Sequence, residues 1–228
     1  MIAGHYATAL VAEKRAPSGH IAYYLAASQL PDLAWYGLSV LGLAPAHSHQ
    51  GPVSMELLIS HDLIPTLGWI ALAVVVGRGL FGAWRPGMVG GVLVAVHLVA
   101  DLLAGYPHNV MGPETPLVGT GLYFSAPYVA AVVEAISAAL LIGWVVWRDR
   151  LDGVQQSRRT LAAWAVVFGG GIGTTLFTAP MLAAFDPNVP LERLPAAALL
   201  GMYCFQIGLL TWGRRRPQAA PAAAHRVA

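Results

Sequence analysis

Histidine and aspartate side chains lie inside apolar stretches of this sequence, where ionisable groups are rare. His97 and Asp101 lie in the run GMVGGVLVAVHLVADLLAGY, and His61 and Asp62 lie in another apolar run. Each such group costs about 3 kcal/mol in hydrocarbon, even on lenient insertion scales. His97 and Asp101 have i,i+4 spacing and so point the same way from one helix face, which is ligand spacing for a transition metal. The sequence therefore predicts that these side chains bind a metal, bind each other or relay protons.

The composition excludes a soluble globular domain. The chain has 228 residues, of which 57% are hydrophobic and 11% charged, and its mean hydropathy is +0.61. An ordinary soluble domain carries roughly 25% charged residues. The single cysteine, Cys204, excludes an internal disulfide and a cysteine-based metal cluster. The sequence contains no nucleic-acid motif, and we interpret the chain as an integral membrane protein.

Apolar runs predict an all-α, polytopic transmembrane helical bundle of six or seven helices. The runs approach or exceed the roughly 20 residues that a spanning helix needs. Ahead of them lies an N-terminal helical pair within residues 1–43, in which Pro31 is expected to kink or break the second helix. Whether residues 2–13 cross the bilayer stays open. We expect one domain over 1–216, followed by a disordered tail, 217–228. The domain begins with the helical pair 2–13 and 20–43. Three spans within 54–147 carry most of the polar site (54–77, 87–106 and 122–147), and two packing spans lie within 160–213 (160–182 and 196–213).

Lysine and arginine residues occupy alternate connections between these runs. The basic connections are the turn at Lys14 and Arg15, the loops 78–86 and 148–159, and the segment after the last span. The intervening loops, 44–53, 107–121 and 183–195, contain one arginine among them, Arg193. Because basic loops stay in the cytoplasm, we expect a multi-pass protein of a bacterial inner membrane with a cytoplasmic C-terminus and a retained N-terminal segment.

The unusual polar residues share one layer of this topology, from the outer surface to mid-membrane. Histidine and carboxylate ligands without sulfur suit zinc, and also manganese or iron(II). Single residues have simpler explanations, since Asp32 could cap a helix and a lone histidine could bond to a neighbouring helix. The pairs Gly87/Gly91 and Gly169/Gly173 have the spacing that lets membrane helices approach closely, and helix flexibility is the alternative explanation. The residues of the polar layer are His5, Asp32, His47, His49, His61, Asp62, His97, Asp101, His108 and Glu134.

Five short patterns resemble a known family. They are GHYATALVAEKRAP, AASQLPDLAW, ELLISHDL, AVHLVADLLAGYPHN and GTGLYFSAPYVAAVVEA. They are similar to a largely uncharacterised group of bacterial integral membrane proteins, the predicted membrane-bound metal-dependent hydrolases, and the match covers residues 1 to about 147. Asp62 and Asn109 depart from the family pattern, which usually has Ser at the first position and often an Asp near the second. The resemblance implies a polar core of His5, Asp32, His61, His97 and Asp101, with His108 and Glu134 at matching elements.

Together, these observations predict a membrane-embedded hydrolase acting on a lipid-linked or amphiphilic substrate. His61, His97 and Asp101 would hold a divalent metal, zinc being the expected one, with Asp32 or His5 completing the shell and His108 as a further ligand. Asp62 or Glu134 would act as general base on the metal-bound water. The alternatives are an ion- or proton-coupled transporter or channel, a haem-binding protein with His61 and His97 as axial ligands, and a scaffold whose polar residues only lock helices together.

Overall fold

The described residues form the predicted all-α bundle, together with a short two-stranded ribbon that the sequence analysis did not predict. A computed structural model describes residues 2–43, 59–112, 114–183 and 193–214. The predicted tail, 217–228, and the layer histidines His47 and His49 lie outside the described residues. A π-helical turn, Ala165–Gly169, joins the helix Arg158–Trp164 to the helix Gly170–Ala183. The elements are α1 Ile2–Arg15, α2 Ile21–Ser28, α3 Leu30–Leu41, α4 Leu63–Phe81, α5 Trp84–Ala104, β1 His108–Asn109, β2 Leu117–Val118, α6 Leu122–Ser125, α7 Pro127–Leu151, α8 Arg158–Trp164, α9 Gly170–Ala183 and α10 Arg193–Arg214.

Within the described residues, five helical segments are long and apolar enough to cross a membrane, and the chain is a membrane protein. They are α4, α5, α7, the continuous segment 158–177 and the segment 194–214 of α10. Large apolar side chains on their outer faces are exposed, among them Leu67, Leu80 and Leu140. Such faces are expected where lipid rather than water surrounds a helix.

Two of the predicted spans begin later as helices than the apolar pattern suggested. The run 54–77 is helical only from Leu63, and Ile59–Asp62 forms a turn ahead of it, with residues 54–58 outside the described part. Asp62 is the N-cap of α4. The run 122–147 is divided at Ala126 into a single turn, α6, and the long helix α7. Pro127 begins α7 because proline fits the first helical turn, where its missing N–H is not needed.

The N-terminal helix α1 lies at the centre of the bundle rather than at its surface. Ala3, Tyr6, Ala7 and Leu10 are fully buried, and α1 packs against α2, α5 and α7. At about 1.5 Å per residue, its 14 residues extend roughly 21 Å, which is less than the roughly 30 Å of hydrocarbon that a span must cross. Small side chains such as alanine allow the surrounding helices to approach α1 closely.

The second N-terminal segment is broken at Gln29, where α2 ends and α3 begins. Pro31 lies in the first turn of α3, a position that tolerates proline. Asp32 follows in the same turn, and α3 ends at Gly42 in the left-handed conformation. The break therefore places a carboxylate at a helix start in the interior of the bundle.

Helices α4 and α5 pack closely along a seam of glycines. A Cβ on Gly87 would collide with the Val74 carbonyl oxygen, and one on Gly91 would lie 2.7 Å from Val74 Cγ2. The predicted close approach is thus found for Gly87 and Gly91. It is not found for Gly169 and Gly173, where an added Cβ would meet no atom of the described residues within 4 Å.

The basic connections meet at one end of the bundle. Lys14 forms ion pairs with Asp149 and Asp152, and Arg214 pairs with Asp149 at 3.1 Å. Arg85 donates to the Arg15 carbonyl oxygen at 2.8 Å. The hydrogen bond from Lys14 lowers the pKa of Asp152. The turn after α1, the α4–α5 and α7–α8 connections and the end of α10 therefore share one end.

Candidate metal centre

Five separate elements bring the predicted polar residues together inside the bundle. α1 supplies His5, α3 supplies Asp32, α5 supplies His97 and Asp101, the turn before α4 supplies His61, and β1 supplies His108. The antiparallel ribbon follows α5 and pairs His108 with Val118, so the chain turns back towards the end of α5. All six residues are buried: as whole residues, His5, His97 and His108 are 1% exposed, His61 and Asp101 3%, and Asp32 8%.

The first group of potential ligands consists of His5, His97 and Asp101. One ligand atom from each lies within 4.8 Å of the others. His5 Nε2 donates to Asp101 Oδ1 at 3.2 Å, and His97 Nε2 lies 3.2 Å from Asp101 Oδ2. The two imidazole rings are stacked with their centroids 3.8 Å apart. The i,i+4 spacing thus places His97 and Asp101 together, as the sequence predicted.

The second group consists of Asp32, His61 and His97. One ligand atom from each again lies within 4.8 Å of the others. His61 Nε2 donates to Asp32 Oδ1 at 3.1 Å, while His97 Nε2 lies 4.0 Å from the same oxygen. Asp32 is therefore no simple helix cap, since its side chain faces the two histidines. His97 belongs to both groups and lies between the two carboxylates.

The backbone fixes which nitrogen of His97 can bind a metal. His97 Nδ1 is 2.8 Å from the carbonyl oxygen of Ser28, the last residue of α2. A carbonyl oxygen can only accept, so Nδ1 carries the proton and a neutral His97 has its lone pair on Nε2. Nε2 is buried and has no hydrogen-bond partner among the described residues, although two carboxylates face it. The space between this nitrogen and the carboxylate oxygens suits a cation, which is either a proton that makes His97 an imidazolium or a metal ion.

The distances are compatible with a metal ion. Zinc binds nitrogen and oxygen at about 2.0–2.2 Å, so two of its ligand atoms lie no more than roughly 4.4 Å apart. The four histidine–carboxylate separations, 3.2, 3.2, 3.1 and 4.0 Å, fall below that limit. The single free nitrogen of His97 can bind one ion only. The other ligands of an ion on His97 are therefore His5 and Asp101, or Asp32 and His61. A third possibility is a set with members from both groups.

Two further side chains, which sequence reasoning did not find, hold these ligands in place. Tyr203 on α10 donates its hydroxyl hydrogen to Asp32 Oδ2 at 3.0 Å, and Ser60 Oγ lies 2.9 Å from His61 Nδ1. A tyrosine in the middle of an apolar helix needs a partner for its hydroxyl when buried. That requirement was the available sequence signal for Tyr203, but it does not reveal which helix supplies the partner.

His108 lies beside the two groups without belonging to either. Its ring stacks on the His61 ring with a centroid separation of 5.5 Å and an interplanar angle of 14°. Both of its ring nitrogens are buried and make no hydrogen bond within the described part of the chain. Burial, followed by the neighbouring His61, lowers the pKa of His108 to about 3. Its imidazole is therefore neutral, with one donor and one acceptor facing the interior, and its assignment as a metal ligand stays a prediction.

The two carboxylates predicted as general base have structural partners and are absent from both ligand groups. Asp62 Oδ2 accepts a hydrogen bond from the backbone N–H of Gly112 at 2.6 Å. Glu134 accepts from the backbone N–H of Ala3 at 2.6 Å and from the Tyr123 hydroxyl at 2.7 Å. Asp62 thus ties the loop after β1 to the start of α4, and Glu134 ties the start of α1 to α7. Their assignment to the chemistry stays a prediction.

Comparison of the chain with protein families, with curated proteins and with solved structures found no match.

Proposed function

We propose that this protein is a membrane-embedded metal-dependent hydrolase whose centre consists of His97, Asp101, Asp32, His61 and His5. The observation that carries the proposal is the Nε2 atom of His97. Its proton is held on Nδ1 by the Ser28 carbonyl, and the free nitrogen faces carboxylates at 3.2 and 4.0 Å. Histidine and carboxylate donors without sulfur favour zinc, with manganese or iron(II) as the next candidates.

A divalent metal held by these residues supplies a Lewis acid and lowers the pKa of a bound water to near 7, which suits hydrolysis. The residues of this chain orient the ligands and exclude bulk water, since every ligand is at most 8% exposed. His5 and His61 donate to carboxylates through the nitrogens that would bind the ion. Metal binding therefore releases protons, and the apparent affinity should fall as the pH is lowered.

The position of the centre supports a lipid-linked or amphiphilic substrate. On α5, His97 lies about 20 Å and Asp101 about 26 Å along the helix from Trp84 at the basic end. With the basic end in the cytoplasm of a bacterial inner membrane, the centre lies in the outer half of the bilayer. A lipid-linked or amphiphilic substrate can reach that depth, whereas a fully polar one has to leave water.

Elemental analysis of detergent-purified protein tests the metal. We expect a divalent metal at one equivalent per chain in the wild-type protein, and its loss in Asp101→Ala. Asp152→Ala is the matched control, because that acid lies at the opposite, basic end, and it should keep the metal. Wild-type protein that binds no metal after incubation with zinc, manganese or iron(II) would exclude the proposed centre.

Hydrolysis requires a second measurement on the same preparations. Wild-type protein should release product from an amphiphilic ester or phosphoester panel in detergent micelles, and removal of the metal with a chelator should abolish the release. Activity that survives metal removal would contradict metal-dependent hydrolysis. A visible Soret band in the wild-type sample would instead support the haem alternative.

The described hydrogen bonds also favour a second candidate, a proton-coupled transporter. His5 with Asp101 and His61 with Asp32 form two adjacent imidazole–carboxylate pairs, and such pairs inside a membrane serve as proton relays. Reconstituted protein distinguishes the two functions. Proton flux across vesicles from a protein that contains no metal would favour the transporter.

A further inference from the structure

The last spanning helix, α10, contributes a side chain to the interior that contacts a proposed ligand. Tyr203 is 2% exposed, and its hydroxyl donates to Asp32 Oδ2 at 3.0 Å. The other oxygen, Asp32 Oδ1, faces His61 at 3.1 Å and His97 at 4.0 Å. The two oxygens of this carboxylate therefore have different tasks.

We propose that Tyr203 is a positioning residue that holds Asp32 as a one-oxygen ligand. This inference rests on the proposed metal centre. Without the hydroxyl, the carboxylate could rotate about its Cβ–Cγ bond and turn Oδ1 away from the histidines. A hydrogen bond to the non-ligating oxygen fixes the ligand's orientation and keeps the second oxygen from competing for the ion.

Several contacts fix Tyr203 itself, as a positioning residue requires. The Tyr6 hydroxyl donates to the Tyr203 backbone carbonyl oxygen at 3.3 Å, which ties α10 to α1. The Tyr36 ring lies 5.4 Å from the Tyr203 ring, centroid to centroid. Since α10 also packs against α3, the donor and the carboxylate that accepts from it lie on neighbouring helices.

The expected consequence of Tyr203→Phe is weaker metal binding in a folded protein. Loss of a partner of a metal ligand typically costs 10- to 100-fold in metal affinity. Phenylalanine keeps the ring and its packing, so the helix contacts remain. The absorption spectrum of bound cobalt(II) should also change, because Asp32 is free to bind through one oxygen or both.

Tyr24→Phe is the matched control. It removes another buried tyrosine hydroxyl hydrogen bond, from Tyr24 to the Ala16 carbonyl oxygen at 2.8 Å, which involves none of the proposed ligands and does not involve Tyr203. Zinc affinity, measured on the full-length protein by competition with a chromophoric chelator, should fall about 10- to 100-fold in Tyr203→Phe and stay at the wild-type value in Tyr24→Phe. The cobalt(II) spectrum should change in the first variant only.

A double-mutant cycle tests whether Tyr203 acts through Asp32. In an Asp32→Ala background, Tyr203→Phe should cause no further loss of zinc affinity, because the group that it positions is absent. Additive losses, or equal affinity in wild type and Tyr203→Phe, would overturn the positioning role while leaving the metal centre intact. A wild-type protein that binds neither zinc nor cobalt(II) would overturn both proposals.

Discussion

Replacement of His97 by alanine should separate metal-linked stability from the stability of the bundle. His97 belongs to both potential ligand groups, and its Nε2 lies 3.2 Å from Asp101 and 4.0 Å from Asp32. Its removal takes away a side chain that faces both carboxylates. We expect His97→Ala to lose the stabilisation that an added metal gives to the wild-type protein.

The size of the effect follows from linkage. A ligand that binds only the folded state stabilises it by about 2.7 kcal/mol when its free concentration is 100 times its Kd. For a chain of about this length, each kcal/mol shifts the thermal midpoint by about 2–4 °C. Zinc at that concentration should therefore raise the wild-type midpoint by roughly 5–11 °C.

The assay is thermal unfolding of detergent-purified protein with and without zinc. His20→Ala serves as the control, because His20 caps α2 at the basic end and accepts from the Ala22 N–H. That variant should keep the full zinc-induced shift, even if its midpoint without zinc is lower. An undiminished shift in His97→Ala, or a missing shift in the wild-type protein, would refute the reasoning.

Three further outcomes follow from other contacts. Gly90→Ala places a methyl group on the Tyr23 hydroxyl and should lower the free energy of unfolding by about 1–3 kcal/mol in denaturant titration, whereas Gly79→Ala, which meets nothing within 4 Å, should not lower it. Arg214→Met removes the positive charge that pairs with Glu13 and Asp149. It should lower the free energy of unfolding by about 1–3 kcal/mol in the same titration, and an unchanged midpoint would show that these ion pairs contribute nothing to stability. Glu134→Gln keeps an oxygen that can accept the hydrogen bond from the α1 backbone. If Glu134 is the general base, the hydrolysis rate should fall in this variant while the metal content stays constant. An unchanged rate would show that Glu134 is not the general base.

The local pattern of the sequence was sufficient for the class of fold and for part of the site. Apolar runs near 20 residues specify spanning helices because the length of an element must match the thickness of the hydrocarbon. The i,i+4 spacing of His97 and Asp101 placed both on one helix face because helix geometry is local. The basic connections identified one end of the bundle, and the ion pairs of Lys14 and Arg214 join them there.

Some local features could not be predicted from hydropathy. The run 54–77 predicted a helix through His61, but His61 lies in a turn and α4 begins at Leu63. Hydropathy averages over a window and does not register where the backbone changes direction. The glycine pair Gly169/Gly173 had the spacing of a packing seam, yet a Cβ added at either position would meet no atom of the described residues within 4 Å.

By itself, the sequence determined that the chain forms a membrane helical bundle and that histidines and aspartates occupy one layer of it. Only the tertiary structure decided which of them meet, because His5, Asp32, His61 and His97 come from different elements. It also assigned the Ser28 carbonyl to His97 Nδ1 and the Tyr203 hydroxyl to Asp32. The two residues of each contact are 69 and 171 positions apart in the sequence. Spacing along one helix carries no information about partners on other elements, because the packing of the whole bundle selects them.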